Sequence, residues 1–210
     1  MLALLRRHIR DDRVIDAMAE VPREEFVPRE LRAAAYEDRA LPIGAGQTIS
    51  QPLMVALEIE AADIGPSDRV LEVGTGSGYQ AAVLSRLSND VVSVERVAAL
   101  MERARETLRR VGVSQVTVEE AGEALGHEQR APFDVIIVAA GGPHVPRSLL
   151  GQLAPGGRLV MPVGPQREQR LVVARRTAHG AELRQLGPCA FVPLIGEEAW
   201  GEGARGGGFG

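Results

Sequence analysis

Apolar positions follow one pattern up to about Asp68 and another beyond it. The first stretch is helical and loop-like. Val14, Ile15, Met18 and Ala19 share one face of a helix that Asp11 or Asp12 can cap and that ends before Val21-Pro22. A second helix is predicted from Gln51-Pro52: Ser50 or Gln51 sits near its cap, the fixed backbone angle of Pro52 suits a first turn, and Leu53, Ala56, Leu57 and Glu60 follow. From Arg69 onward, short β-branched runs at residues 70–73, 91–94, 116–118, 135–138 and 159–161 alternate with helical or loop segments, the first four with crossover-length chain between or after them. That alternation predicts an α/β fold with a doubly wound, mostly parallel sheet covered on both faces. Residues 171–174 and 190–194 read as later strands separated by a short turn near His179-Gly180, which predicts an antiparallel C-terminal edge.

Composition narrows the function classes. At 210 residues, 45% apolar and 25% charged, the chain has material for one sizeable core. A single domain over residues 1–200 is expected, with a helical N-terminal region (1–68) joined to an α/β core (69–200) and a disordered, glycine-rich tail (201–210). A formal net charge of −4 lacks the uniform positive field of a nucleic-acid binder, so no nucleic-acid partner is expected. There is neither an apolar run of about 18 residues nor a signal-peptide pattern, so no membrane association is expected. Cys189 is the sole cysteine and cannot form an intramolecular bridge, which fits a reducing compartment; the cytoplasm is the expected location. The four histidines lie too far apart for a local metal motif, and no metal is expected.

The chemistry concentrates at Val70-Leu71-Glu72-Val73-Gly74-Thr75-Gly76-Ser77-Gly78-Tyr79. A buried strand runs through three alternate glycines into a helix, which lets the backbone turn sharply and predicts a polar or anionic ligand against the amides at the helix start. A dinucleotide fingerprint needs a third glycine where Tyr79 stands, and this argues against a pyrophosphate ligand. Glu95 closes the next strand, 21 residues beyond Gly74, where a carboxylate accepts bonds from both hydroxyls of an unmodified ribose. Glycine turns and strand-end acids occur singly in many βαβ folds; together, at this interval, they favour a nucleoside-type ligand. Glu72, inside the strand, either binds an amine of that ligand or orients the loop.

Val73-Gly74-Thr75-Gly76-Ser77-Gly78 followed by Glu95 resembles the S-adenosylmethionine site of class I methyltransferases, a Rossmann-like fold. More specific are Val21-Pro22-Arg23-Glu24-Glu25-Phe26-Val27-Pro28, Tyr36, the run from Leu41-Pro42-Ile43-Gly44 through Gln47-Thr48-Ile49-Ser50-Gln51-Pro52, Gly78-Tyr79-Gln80-Ala81-Ala82, Ala131-Pro132-Phe133-Asp134, Ala154-Pro155-Gly156-Gly157 and Phe191-Val192-Pro193-Leu194. With these the chain resembles the protein-L-isoaspartate O-methyltransferase family from about residue 8 to about residue 196. The resemblance implies transfer of a methyl group from S-adenosylmethionine, leaving S-adenosylhomocysteine, to the free α-carboxylate of L-isoaspartyl residues in damaged proteins and peptides. It implies Ser50 as the active-site serine, a cofactor wall of Gln47, Thr48, Ile49, Glu72, Gly74, Thr75, Gly76, Gly78, Glu95 and Arg96, and substrate-side rims at Val21-Pro22 and Val192-Pro193. After the third strand the family has Gly-Asp-Gly near adenine. Here Gly122-Glu123-Ala124 stands there: Glu123 keeps an acceptor on a longer stem, and Ala124 gives up backbone freedom, so altered adenine contacts are expected at both.

Methylating a carboxylate also explains a missing motif. With a reference pKa of about 4 the nucleophile is already ionised and needs no general base, and no catalytic dyad or Gly-x-Ser-x-Gly elbow is found, Thr75 taking the place of the elbow's first glycine. The reaction needs in-line placement, exclusion of water and donors that grip the carboxylate. Ser50 suits that last role; two residues before Pro52 it also suits a helix cap, and both readings stay open. His144 reads as a loop residue at the ligand edge of the sheet. The alternatives are a tailoring methyltransferase for one dedicated aspartyl peptide, a non-catalytic cofactor-binding homologue, and a dehydrogenase, which Tyr79 disfavours. A monomer is expected.

Overall fold

The computed structural model describes residues 1–166 and 168–203; the expected tail disorder lies, from residue 204 on, outside the described residues. Two helices, α1 (Leu2–His8) and α2 (Asp12–Glu20), lead into 3-10 turns at Arg23–Phe26 and Arg29–Ala34, a hairpin of β1 (Leu41–Gly44) and β2 (Gln47–Ile49), and helix α3 (Pro52–Ala62). There follow β3 (Arg69–Val73), α4 (Tyr79–Leu84), β4 (Asp90–Glu95), α5 (Ala98–Arg110), β5 (Val116–Glu120), β6 (Phe133–Val138), α6 (Arg147–Gly151), β7 (Leu153–Val163), β8 (Gln169–Thr177) and β9 (Gly180–Cys189).

The long sheet has the order β5-β4-β3-β6-β7-β8-β9. Strands β5 through β7 run parallel, and β8 and β9 add antiparallel. Alternation along the central strands feeds two cores. Val70, Val91, Val135, Ile137 and Val160 face the side covered by α1 to α5, while Leu71, Val73, Val92, Ile136 and Val138 face α6 and the loops around it. Because β3 has β4 on one side and β6 on the other, chain order reverses at β3. In an open α/β sheet that reversal leaves a crevice beyond the carboxyl ends of the strands.

Local chemistry sets the helix positions. Asp11 caps α2, its side chain accepting from the Arg13 amide at 3.0 Å. The buried face is Val14, Ile15, Ala17 and Met18, so Ala17 replaces the expected Ala19: contacts with α1, α3 and α4 widen the stripe on that side. Helix α3 is apolar nearly all round, as suits a helix packed on both α1-α2 and the sheet.

Two expectations are corrected. The stretch before Asp68 is not only helical and loop-like, because residues 41–49 pair as a hairpin whose two-residue turn, Ala45 (φ 53°) and Gly46 (φ 70°), has the left-handed geometry that tight hairpins favour. The last strand is β9, paired from Thr177↔Gly180 to Gln169↔Cys189, and not residues 190–194. That later segment leaves the sheet: Pro193 has no N–H to give a ladder, and the segment instead hooks onto Gly141, whose amide donates to the Val192 carbonyl at 2.8 Å and whose carbonyl accepts from the Leu194 amide at 2.8 Å. Among the described residues no helix is long and apolar enough to cross a membrane.

Candidate active site

The crevice at the switch point is an open cleft beyond the carboxyl ends of the strands, where ligands of α/β sheets bind. Its walls are β2 with Ser50, the β3–α4 loop, the end of β4, Ala121, Ala139-Ala140 and residues 192–195.

The glycine loop works differently from the expectation. Gly74 (φ 99°) and Gly76 (φ 55°) hold backbone angles that a side chain would strain, which gives the sharp turn. The amides of Gly74, Thr75 and Gly76 are not offered to a ligand, however. Those of Gly74 and Thr75 donate to the Val94 carbonyl at 2.9 and 3.2 Å, and that of Gly76 donates to Glu95 Oε2 at 2.8 Å. A loop whose donors are engaged by the neighbouring strand supplies shape and close approach; it is not an anion nest. This removes the footing a pyrophosphate would need.

What the cleft offers instead is acceptors. Glu95 Oε1 takes the Val97 amide at 2.9 Å, so both carboxylate oxygens are fixed by backbone donors while each keeps a second lone pair. Glu72 is fully buried; Ser93 Oγ, itself 2.5 Å from Thr75 Oγ1, donates to Glu72 Oε2 at 2.5 Å, and Oε1 has no partner in the protein. Burial, with a smaller contribution from Glu95, pushes Glu72 up to about 8, against the Ser93 hydrogen bond. Behind it Glu58 on α3, also fully buried and raised well above the carboxylate range by burial, accepts from Gln80 Nε2 at 3.2 Å. Arg96 is the sole cation among the lining side chains, and its guanidinium pairs with Glu202 at 2.6 Å. An acceptor-rich lining with an orphaned carboxyl oxygen fits a ligand bearing an ammonium, a sulfonium and a ribose diol.

Ser50 sits between β2 and α3 on the wall of this cleft. It is not the cap. Gln51 occupies the cap position without a side-chain bond, and the donor at Leu53 is satisfied by Asp38 Oδ1 at 3.0 Å, from a distant loop. The Ser50 hydroxyl makes no hydrogen bond within the described residues, whereas its carbonyl accepts from Arg23 Nη2 at 2.7 Å.

Of the residues singled out in the sequence, the cleft gathers Gln47, Thr48, Ile49, Ser50, Glu72, Gly74, Thr75, Gly76, Glu95, Arg96, Val192 and Pro193. Five fall outside its lining. Gly78 (φ 87°) starts α4 and packs against α5, where an added Cβ would lie 3.3 Å from that of Ala104. Glu123 and Ala124 are exposed, since the chain turns outward after Ala121 docks its amide on the Glu95 carbonyl at 2.9 Å. Val21 is buried in the core where α2 ends, and Pro22 is half-buried ahead of the first 3-10 turn. The sequence reading missed Tyr79 and Gln80 as wall residues, although they directly follow the glycine loop, and gave no sign of Val55, Ala121 or Ala139. His144 is an exposed loop residue outside the lining.

A doubly wound sheet with an acceptor-lined crevice at its switch point, built for a cationic nucleoside, defines the class I S-adenosylmethionine-dependent methyltransferases. Comparison with known proteins narrows this. The family model described as protein-L-isoaspartate(D-aspartate) O-methyltransferase matches residues 1–199, and the chain belongs to that family of enzymes. A protein-L-isoaspartate O-methyltransferase from Pelotomaculum thermopropionicum is 52% identical over 94% of this chain and 86% of its own, and one from Protochlamydia amoebophila is 52% identical over 92% and 93%. Among solved structures, a protein-L-isoaspartate O-methyltransferase superposes with a TM-score of 0.84 at 30% identity, over 94% of this chain and 66% of that one. A Plasmodium falciparum structure described as such an enzyme in complex with S-adenosyl-L-homocysteine gives 0.78 at 26% identity, over 90% and 94%.

Proposed function

We propose that this chain methylates the free α-carboxylate of L-isoaspartyl residues in damaged proteins and peptides, starting their return to aspartate, with Ser50 as the residue that grips that carboxylate. S-adenosylmethionine, when bound, supplies a methyl carbon attached to a sulfonium. Glu72, with its unpartnered Oε1, holds the ammonium of that cofactor, and Glu95, its plane fixed by two amides, accepts from the ribose hydroxyls. Residues 192–195 close the cleft from the far side, where they exclude water. The accepting carboxylate arrives ionised, so no side chain has to take a proton. Its remaining requirement is a donor that fixes its direction, and the Ser50 hydroxyl on the cleft wall is free to be one.

The observation that carries this reading is the division of labour at residues 38 and 50: Asp38 satisfies the helix end, leaving Ser50 Oγ unengaged at the cleft. Ser50→Ala is expected to leave S-adenosylhomocysteine affinity unchanged and to lower kcat/KM on an isoaspartyl peptide by the worth of a hydrogen bond to a charged group, about 1.5 to 3 kcal/mol. Unchanged methylation kinetics would remove Ser50 from the reaction. Running the isoaspartyl and aspartyl forms of several unrelated peptides side by side separates repair, which acts broadly on the isoaspartyl forms, from modification of one dedicated partner.

A further inference from the structure

Arg23 is the bulkiest fully buried side chain among the described residues, and the reaction outlined above does not use it. Burying a guanidinium is costly unless its charge and donors are met. Here they are met in part: Nη1 has no hydrogen-bond partner, and the other two nitrogens and the charge are held by an unusual set. Nε donates to the Ala35 carbonyl at 2.7 Å, Nη2 donates to the Ser50 carbonyl at 2.7 Å, and the guanidinium carbon lies 4.7 Å over the ring of Tyr79. Two backbone carbonyls and an aromatic face take the place of a carboxylate. If Arg23 served packing alone, an apolar side chain of the same length would fill the space without the desolvation cost.

The partners themselves show what the charge is for. Ala35 ends the second 3-10 turn, Ser50 is the junction between β2 and α3, and Tyr79 is both the first residue of α4 and part of the cleft wall. Three segments far apart in sequence are tied to one rigid planar group directly behind the serine. On the other side Asp38 fixes the amide of Leu53. The carbonyl of Ser50 is thus held by Arg23, and the start of the helix that follows by Asp38, while the Ser50 hydroxyl is left unengaged. We infer that Arg23 is a positioning residue for Ser50, anchoring its carbonyl so that the hydroxyl keeps the direction needed to hold the substrate carboxylate. This rests on Ser50 acting as that donor.

The test is a double-mutant cycle with Arg23→Lys and Ser50→Ala. Each protein is measured for kcat and KM on an isoaspartyl peptide, for S-adenosylhomocysteine affinity by calorimetry and for Tm. Lysine keeps the charge but cannot fork to two carbonyls. The expected result is a loss in kcat/KM of about 10- to 100-fold, the effect of a misplacement of about 1 Å, with S-adenosylhomocysteine affinity retained and no further loss from lysine in the Ser50→Ala background. Additive losses, or loss of cofactor affinity, overturn the inference. Arg23→Met, which keeps an unbranched stem against Tyr79, serves if the lysine variant does not fold, with the same non-additivity required; unfolding of both shows that Arg23 supports the whole fold and overturns the inference too. A silent Ser50→Ala removes the underlying reading of the serine as well, whereas a large Ser50→Ala effect with additive lysine losses removes only the role given to Arg23.

Discussion

Replacing Glu72 by glutamine tests the electrostatics of the cleft without adding bulk. The amide oxygen can still accept from Ser93, while the titration is lost and the unpartnered acceptor Oε1 becomes an NH2 donor. In the folded protein burial raises Glu72 from 4.5 to about 8, a shift that the Glu95 charge reinforces and the Ser93 hydrogen bond opposes. Between those values the folded chain keeps a proton that the unfolded chain has released, so stability falls as pH rises through the window and levels off above about pH 8. At about 1.4 kcal/mol per unit, the part of the shift lying between pH 5 and pH 9 costs about 4 kcal/mol. Urea unfolding of the ligand-free proteins should therefore show wild type losing about 4 kcal/mol more than Glu72→Gln over that range. Glu58, raised by burial in the same way, is present in both and cancels to first order. The measurement has a counterpart in binding. A ligand ammonium against Oε1 favours the ionised form, so S-adenosylhomocysteine binding at pH 7 should release a proton in wild type and none in the variant, read as a dependence of calorimetric enthalpy on buffer. Parallel stability profiles, or equal proton release, would refute the account of Glu72 as a neutral acid that ionises for its ligand.

Two further substitutions check neighbouring assignments. Asp38→Ala should lower stability by about 1 kcal/mol through the lost cap on α3, measured by thermal unfolding; no loss would mean that the Leu53 amide is satisfied elsewhere. Glu123→Ala should leave S-adenosylhomocysteine affinity within about 0.5 kcal/mol of wild type, as for an exposed residue outside the cleft lining. A tenfold loss would restore the 122–124 segment to the adenine site.

The parallel core was legible because buried strands have to be apolar along their length: the β-branched runs mark β3 to β6 within two residues of their ends, and β7 only over its later half. What failed to read has a physical cause in each case. Pro42 and Gly44 interrupt the alternation of β1, so the hairpin that carries Gln47 to Ile49 looked like loop. Strand β9 is exposed along almost all its length, and Glu182, Arg184 and Gln185 gave it the composition of a turn, while Val192 and Leu194 are apolar because they cover the cleft and the face around α6, not because they pair in the sheet. Glycine spacing revealed the turn at residues 74–78 but could not say where the amides point, and those of residues 74–76 point at β4. A charged residue in a motif reads as surface or catalytic; that Arg23 is neither follows only from the carbonyls folded around it.

If Ser50 grips the substrate carboxylate as proposed, the choice of a hydroxyl at position 50 follows from the charges on both sides of the reaction. A lysine or arginine there would grip a carboxylate more strongly, yet it would stabilise the ionised oxygen against attack and would repel the sulfonium that the cleft must accommodate a few ångströms away. A neutral donor gives direction at a smaller cost to nucleophilicity and with no charge of its own. Arg23 lies behind the serine, where Nη2 is given to the main-chain carbonyl and the ring of Tyr79 covers the guanidinium. On the proposed reading this guanidinium fixes the position of the hydroxyl from behind, and the acceptors of Glu72 and Glu95 are left to the cationic ligand.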